Sequence, residues 1–156
     1  MRTPRSRLPI VGPPAVLAVD ARAPVMTACR VGQAVAQRVD RLAQKVRAEL
    51  QESPTTIPRA VVLRALLLVG LDLAEPRGLA VPPLGKFTLR YDYRVSAADQ
   101  DRLERFRASR WLVTRRPMPQ QLQGALVQLG LEHAEDRASF ARAVLSSRLP
   151  RAADPA

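Results

Sequence analysis

Three arginines of this chain occupy stretches whose residue types alternate strictly. Arg30 lies in VMTACRV (residues 25–31), and Arg90 and Arg94 lie in LRYDYRV (89–95). In the first stretch Val25, Thr27, Cys29 and Val31 alternate with Met26, Ala28 and Arg30. In the second, Leu89, Tyr91, Tyr93 and Val95 alternate with Arg90, Asp92 and Arg94. Period-two alternation is the pattern of a strand with one apolar face, so the guanidinium groups belong to the polar faces of two short strands. A guanidinium presents paired N–H donors that match a phosphate or the O6/N7 edge of guanine. The chemistry these residues offer is recognition of a polyanion; a solvated strand face is the plainer use of the same arginines. Tyr91, Tyr93 and Trp111 have rings that stack on bases, but alternation and helix-end position assign them to the core.

Bond-making chemistry finds little support. No carboxylate pair, glycine-rich phosphate loop or Ser/His/Asp set is present. His133, the one histidine, has no cysteine or second histidine as co-ligand, so neither a metal nor another cofactor is expected. Cys29 is the only cysteine, which excludes an internal disulfide, and it reads as a small buried hydrophobe rather than a nucleophile. The formal net charge is +11, carried almost wholly by arginine, and no single block of the chain holds the excess. That balance favours nucleic acid as partner, with an anionic membrane surface second; a coding bias towards arginine produces the same composition. No apolar run approaches the roughly 18 residues of a membrane span, and a reducing cytoplasm suits the cysteine usage.

The elements that must position the arginines can be read in order. Residues 1–24 form an expected disordered basic tail: Arg2, Arg5 and Arg7 precede LPIVGPPAVLAV, but Pro9, Gly12, Pro13 and Pro14 would break the helix of a secretion signal. After the first strand, Val35, Val39, Leu42, Val46 and Leu50 draw one stripe along an amphipathic helix from Gln33 to about Gln51. ESPTT interrupts it, with Thr55 or Thr56 available as an N-cap before Pro58. A helix from Arg59 to Ala74 follows, apolar nearly all round and therefore buried, and Pro76 and Gly78 end it. Residues 76–88 read as a linker with three prolines and two glycines. The second strand leads into Ser96 and Asp99, a capping pair for a helix from Ala97 to about Arg110 with Leu103 and Phe106 inward. Trp111, Leu112 and Val113 are expected to fold over its end. A last clear helix spans Gln120 to Glu135, with Leu122, Ala125, Leu126, Leu129 and Leu131 as its apolar set. In the extension 136–156, residues 136–149 either lengthen it or add a short helix, and the tail after Pro150 is expected to be mobile.

The chain also repeats itself. RALLLVGLDLAE (64–75) and GALVQLGLEHAE (124–135) share six of twelve residues without a gap. The complete unit is strand, helix, turn, helix, twice, spanning 25–75 and 89–135. The strands correspond at an offset of 64 positions and the last helices at 60, a difference expected in a shorter inter-helix loop of the second copy. Gly70 and Gly130 are among the shared residues. Each costs about 1 kcal/mol against alanine inside a helix, so either close helix contact or common descent keeps them.

A strand ending in Arg-apolar, an amphipathic helix, a Thr/Ser/Pro turn and a buried helix like LRALLLVGL resembles the ribbon-helix-helix proteins of the MetJ and Arc type. The resemblance covers about two thirds of the chain. It implies a mainly α fold with a two-stranded antiparallel ribbon: a tandem ribbon-helix-helix in which one chain supplies both copies as a pseudo-two-fold single-chain dimer. The linker of 13 residues reaches about 43 Å extended, enough to join them. By position, the resemblance implies double-stranded DNA as partner, met in the major groove by Met26, Ala28 and Arg30 and by Arg90, Asp92 and Arg94. Asp92 would accept from cytosine or hold a neighbouring arginine. Thr55, Thr56, Arg115 and Arg116, near the starts of the second helices, would contact phosphates. Because Met26 and Ala28 offer bases no hydrogen bonds, the implied target is asymmetric. The function implied is a cytoplasmic, nucleoid-associated transcription regulator or nucleoprotein accessory factor without enzymatic activity. A protein-interaction module, antitoxin-like or scaffold, contacting a protein partner through its tails is the alternative. The chain would act as a monomer with internal pairing or as a homodimer.

Overall fold

The computed structural model describes residues 22–135 and 140–146, so residues 1–21 of the tail expected over 1–24 and the remaining parts of the C-terminal extension lie outside the described residues. The elements in order are β1 (Val25–Gly32), α1 (Gln33–Leu50), α2 (Arg59–Arg77), β2 (Thr88–Val95), α3 (Ala97–Arg110), a 3-10 turn (Val113–Arg115), α4 (Pro119–Ala134) and α5 (Phe140–Ser146). The fold is mainly helical, with one two-stranded antiparallel sheet formed by β1 and β2.

One core serves all of these elements. The alternating strands turn Cys29, Val31, Tyr93 and Val95 inward, where they join Val39, Leu42 and Val46 of α1 and Leu103 and Phe106 of α3. At the centre lie α2 and α4, whose all-round apolarity answers to burial on most sides: Val62, Leu63, Leu66, Leu67 and Leu71 meet Leu122, Leu126, Val127 and Leu131. Each such leucine stabilises the fold by about 1.5–3 kcal/mol relative to exposure. The two helices touch through their glycines. A Cβ on Gly70 would run into the Leu126 carbonyl, and one on Gly130 into the Leu66 carbonyl. Close backbone approach is therefore what the two shared glycines do.

Ser96 caps α3 through its side chain, which accepts from the Asp99 amide, while the Asp99 carboxylate accepts from the Ser96 amide. Other local expectations need correction. The inter-helix segments, 51–58 and 111–118, are equally long, and the four-residue difference expected in the second loop lies instead in the preceding helix, 18 residues in α1 and 14 in α3. Four residues overshoot a whole turn by only about 40°, so the inward face survives their loss. The threonines do not cap α2. Pro58 is its N-cap residue without any side-chain bond, because Thr56 closes the preceding turn, its hydroxyl bonded to Glu52 at 2.8 Å. The helix also runs through Pro76 to Arg77. The Gly78 amide reaches the Ala74 carbonyl at 2.6 Å, so one missing donor does not open the last turn. Of the residues expected to fold over the end of α3, only Trp111 does, edge-on to Phe106 at 5.7 Å. Leu112 and Val113 pass into the 3-10 turn and are 68% and 75% exposed.

Two ion pairs tie the first helix of each half to the last helix of the other. Arg38 on α1 donates through Nε to Glu135 at 3.0 Å, and Arg102 on α3 donates through Nε to Glu75 at 3.0 Å and also bonds Asp72. The bond from Arg102 holds Glu75 below the ordinary carboxylate range, and the bond from Arg38 does the same for Glu135. A carboxyl group held low in the folded state stabilises the fold fully above its unfolded value, about 4.3. That contribution is lost as pH falls through the lowered folded value. Both pairs are partly exposed, so each contributes under about 1 kcal/mol. The melting temperature of the wild type should therefore lie slightly above that of Arg38→Gln/Arg102→Gln at pH 7, with the gap closing as the carboxyl groups of Glu75 and Glu135 protonate in acid. Curves that run together at every pH would show that the pairs contribute nothing.

Candidate nucleic-acid interface

The outward face of the ribbon is set by its register. Met26 lies opposite Arg94, Ala28 opposite Asp92, and Arg30 opposite Arg90. All six residues proposed from sequence as base-facing therefore form three consecutive rungs. They differ in what they present. Met26 is 64% exposed, whereas Ala28, in the middle rung, is 4% exposed and offers little surface. Arg90 and Asp92 are exposed and paired, with Arg90 Nε 3.1 Å from Asp92 Oδ1, so of the two roles open to Asp92 the arginine-holding contact is present. Arg30 is half-buried and donates through Nε to Oε1 of Gln120 at 2.9 Å. Arg94 is half-buried. Directly opposed arginines disfavour one another in a bare ribbon, so the Arg30–Arg90 rung concentrates positive charge at one end of this face.

Beneath the ribbon, α4 supports it by two devices. Gly124 lets the helix lie against the backbone of Arg30, since a Cβ there would meet the Arg30 carbonyl. Gln123, buried in the core, accepts from the Tyr93 hydroxyl and donates through Nε2 to Thr27 Oγ1 at 2.8 Å. Thr27 and Tyr93 are opposite one another, so this single side chain locks a rung from below. Burial pushes the Tyr93 hydroxyl well above its usual range and the Cys29 thiol up to about 12. Neither group ionises near neutral pH, and Cys29, wholly buried, has no access to a reaction partner.

The starts of α2 and α4 carry no side-chain cap, which leaves the amides of residues 59 and 60 and of residues 120 and 121 without a side-chain partner, while the Val61 amide bonds the Pro58 carbonyl at 3.0 Å. Each is fixed by an arginine from the preceding helix. Arg47 Nε donates to the Ile57 carbonyl at 2.8 Å and Arg107 Nε to the Pro117 carbonyl at 2.7 Å, the same bond 60 positions apart. Of the residues proposed for phosphate contact, Thr55 is exposed in its turn, Thr56 is engaged with Glu52, and Arg115 is exposed in the 3-10 turn. Arg116 braces the end of α3, donating to the Trp111 carbonyl at 3.4 Å and the Ala108 carbonyl at 3.3 Å. Arg59, at the first position of α2, lies over the Tyr91 ring at 4.5 Å and bonds Asp40 at 2.7 Å.

Sequence reasoning missed Gln120, Gln123, Arg47 and Arg107. The two glutamines carry no charge and no periodic signal; the two arginines stood at the repeat offset and were legible through it. Among the described residues no group of three or more metal-ligating side chains converges, and no helix is long and apolar enough to cross a membrane. Comparison with protein-family models, curated proteins and solved structures finds no match to this chain.

Proposed function

We propose that this chain is a DNA-binding protein, a tandem ribbon-helix-helix whose two non-identical copies pair within one polypeptide as a pseudo-two-fold dimer and lay their ribbon in the major groove. The observation that carries this reading is the strand register. With the strands equivalent at an offset of 64, Ala28 and Asp92 are counterparts and lie opposite one another, and each flanking rung pairs one copy's first outward residue with the other copy's last. That is how two copies of one unit meet about a two-fold axis. The reciprocal Gly70–Leu126 and Gly130–Leu66 contacts and the Arg38–Glu135 and Arg102–Glu75 ion pairs support the same axis. The positive charge of the chain, the arginines of the outward face and the uncapped helix starts give the ribbon a duplex as its natural partner. The unlike rungs at its two ends favour an asymmetric site, and the role that fits is a cytoplasmic regulator or nucleoprotein accessory factor.

The test is a band-shift titration with a random-sequence duplex and rising salt. Binding is expected at low salt and should weaken with a log–log slope near −0.9 per phosphate neutralised. Absence of binding at low salt would overturn the reading. A second reading, a protein-interaction module, draws on Leu112, Val113 and Met118, which expose apolar surface together on one inter-helix segment.

A further inference from the structure

We infer that the Arg30–Arg90 rung is the sequence-reading end of the ribbon, that its ligand is a pair of neighbouring guanines, and that Gln120 is the residue that positions Arg30 to read one of them. The inference rests on the DNA-binding reading above. Arg30 and Arg90 are directly opposed, and each is held through Nε alone, Arg30 by Gln120 Oε1 at 2.9 Å and Arg90 by Asp92 Oδ1 at 3.1 Å. A guanidinium tethered by Nε keeps both terminal nitrogens for a partner and loses freedom to swing. That pre-orders the two-donor fork that guanine O6 and N7 accept. Two such forks on one rung repel each other unless acceptors or a polyanion face them.

The other end of the ribbon is built differently. Its rung pairs Arg94 with Met26, whose thioether offers a base no donor. The glutamine tether has no counterpart there. Gln120 belongs to the repeat 60 positions after Ala60, and alanine has no side-chain acceptor for Arg94, the counterpart of Arg30. Likewise Gly124, which lets α4 lie against the Arg30 backbone, has Arg64 as its counterpart, and that side chain is paired with Asp99 at 2.8 Å. The first copy's strand is thus braced from the second copy's last helix by a glutamine that has no counterpart at the other end.

The experiment selects duplexes from a random pool with the full chain, then replaces each selected guanine in turn with 7-deazaguanine, which lacks the N7 acceptor. Two neighbouring guanines at one end of an asymmetric site are expected, each losing roughly tenfold or more in affinity on replacement. In Gln120→Ala the penalty should shrink at one of the two guanines only, with the salt slope unchanged because no charge is removed; Gln120→Glu, which keeps an acceptor, should restore it. Gln120→Met keeps the bulk of the side chain and should behave as Gln120→Ala. The inference fails, with DNA binding intact, if the selected sites lack such guanines or if Gln120→Ala and Gln120→Met retain both penalties at the wild-type salt slope. If the full chain binds no duplex at low salt, the DNA-binding reading fails and this inference with it.

Discussion

Gly130→Ala is expected to lower the melting temperature by roughly 5–10 °C, although alanine is the better helix former. Propensity alone would reward the change by about 1 kcal/mol. Against this, the new methyl would meet the Leu66 carbonyl, and it also comes within 3.2 Å of the Gly70 amide nitrogen. The obstruction is backbone on a packed helix, not the end of a flexible side chain, so α2 and α4 must move apart. Overpacking usually costs 1–3 kcal/mol and here belongs at or above the upper end, for a net loss of about 2 kcal/mol or more. Gly70→Ala should cost a similar amount against the Leu126 carbonyl. The double variant should fall short of the sum, because one separation of the helices relieves both clashes. Gly85→Ala is the control: nothing lies within 4 Å of its new methyl, and its melting temperature should stay near that of the wild type. A rise for Gly130→Ala would refute the close crossing.

The largest functional effect is expected from Arg30→Ala combined with Arg94→Ala. Both side chains belong to the outward ribbon face, one in each end rung, and a good contact to a base edge is worth about 1–3 kcal/mol. Affinity for duplex DNA at moderate salt should therefore drop roughly thirtyfold or more. Charge alone does not account for such a loss, and Arg38→Ala/Arg102→Ala makes that distinction. It removes the same two charges from the ion pairs with Glu135 and Glu75 and should weaken binding only a few-fold through the long-range field. Equal losses in the two double variants would mean that the ribbon reads nothing. Persistence of a protein partner on Arg30→Ala/Arg94→Ala would instead favour the interaction-module reading.

Much of the architecture was legible in local pattern. Alternation identified both strands to within a residue, though Leu89 of the apolar face is exposed and Ala28 of the polar face is buried, and the Ser96–Asp99 spacing located the start of α3. The 64–75 and 124–135 repeat found the helices that cross at the centre. Where the reading missed, a competing bond only four residues away had overruled the preference read from residue type. Thr56 was a sound cap by type, yet its hydroxyl is consumed by Glu52. Pro76 was a sound terminator, yet the Gly78 amide carries α2 beyond it.

By itself the sequence determined which segments alternate as strands, which are helices, and that residues 64–75 resemble 124–135. All of these follow from periodicity and propensity, which act over a few residues. Only the tertiary structure decided that Arg30 faces Arg90 and not Arg94, because a strand's alternation is the same in every register of matching parity. Only it showed Gln120 reaching Arg30 across 90 positions and Gln123 bridging Thr27 and Tyr93. Such bonds leave no trace in composition or spacing, since they exist only once packing has brought distant segments within about 3 Å of each other.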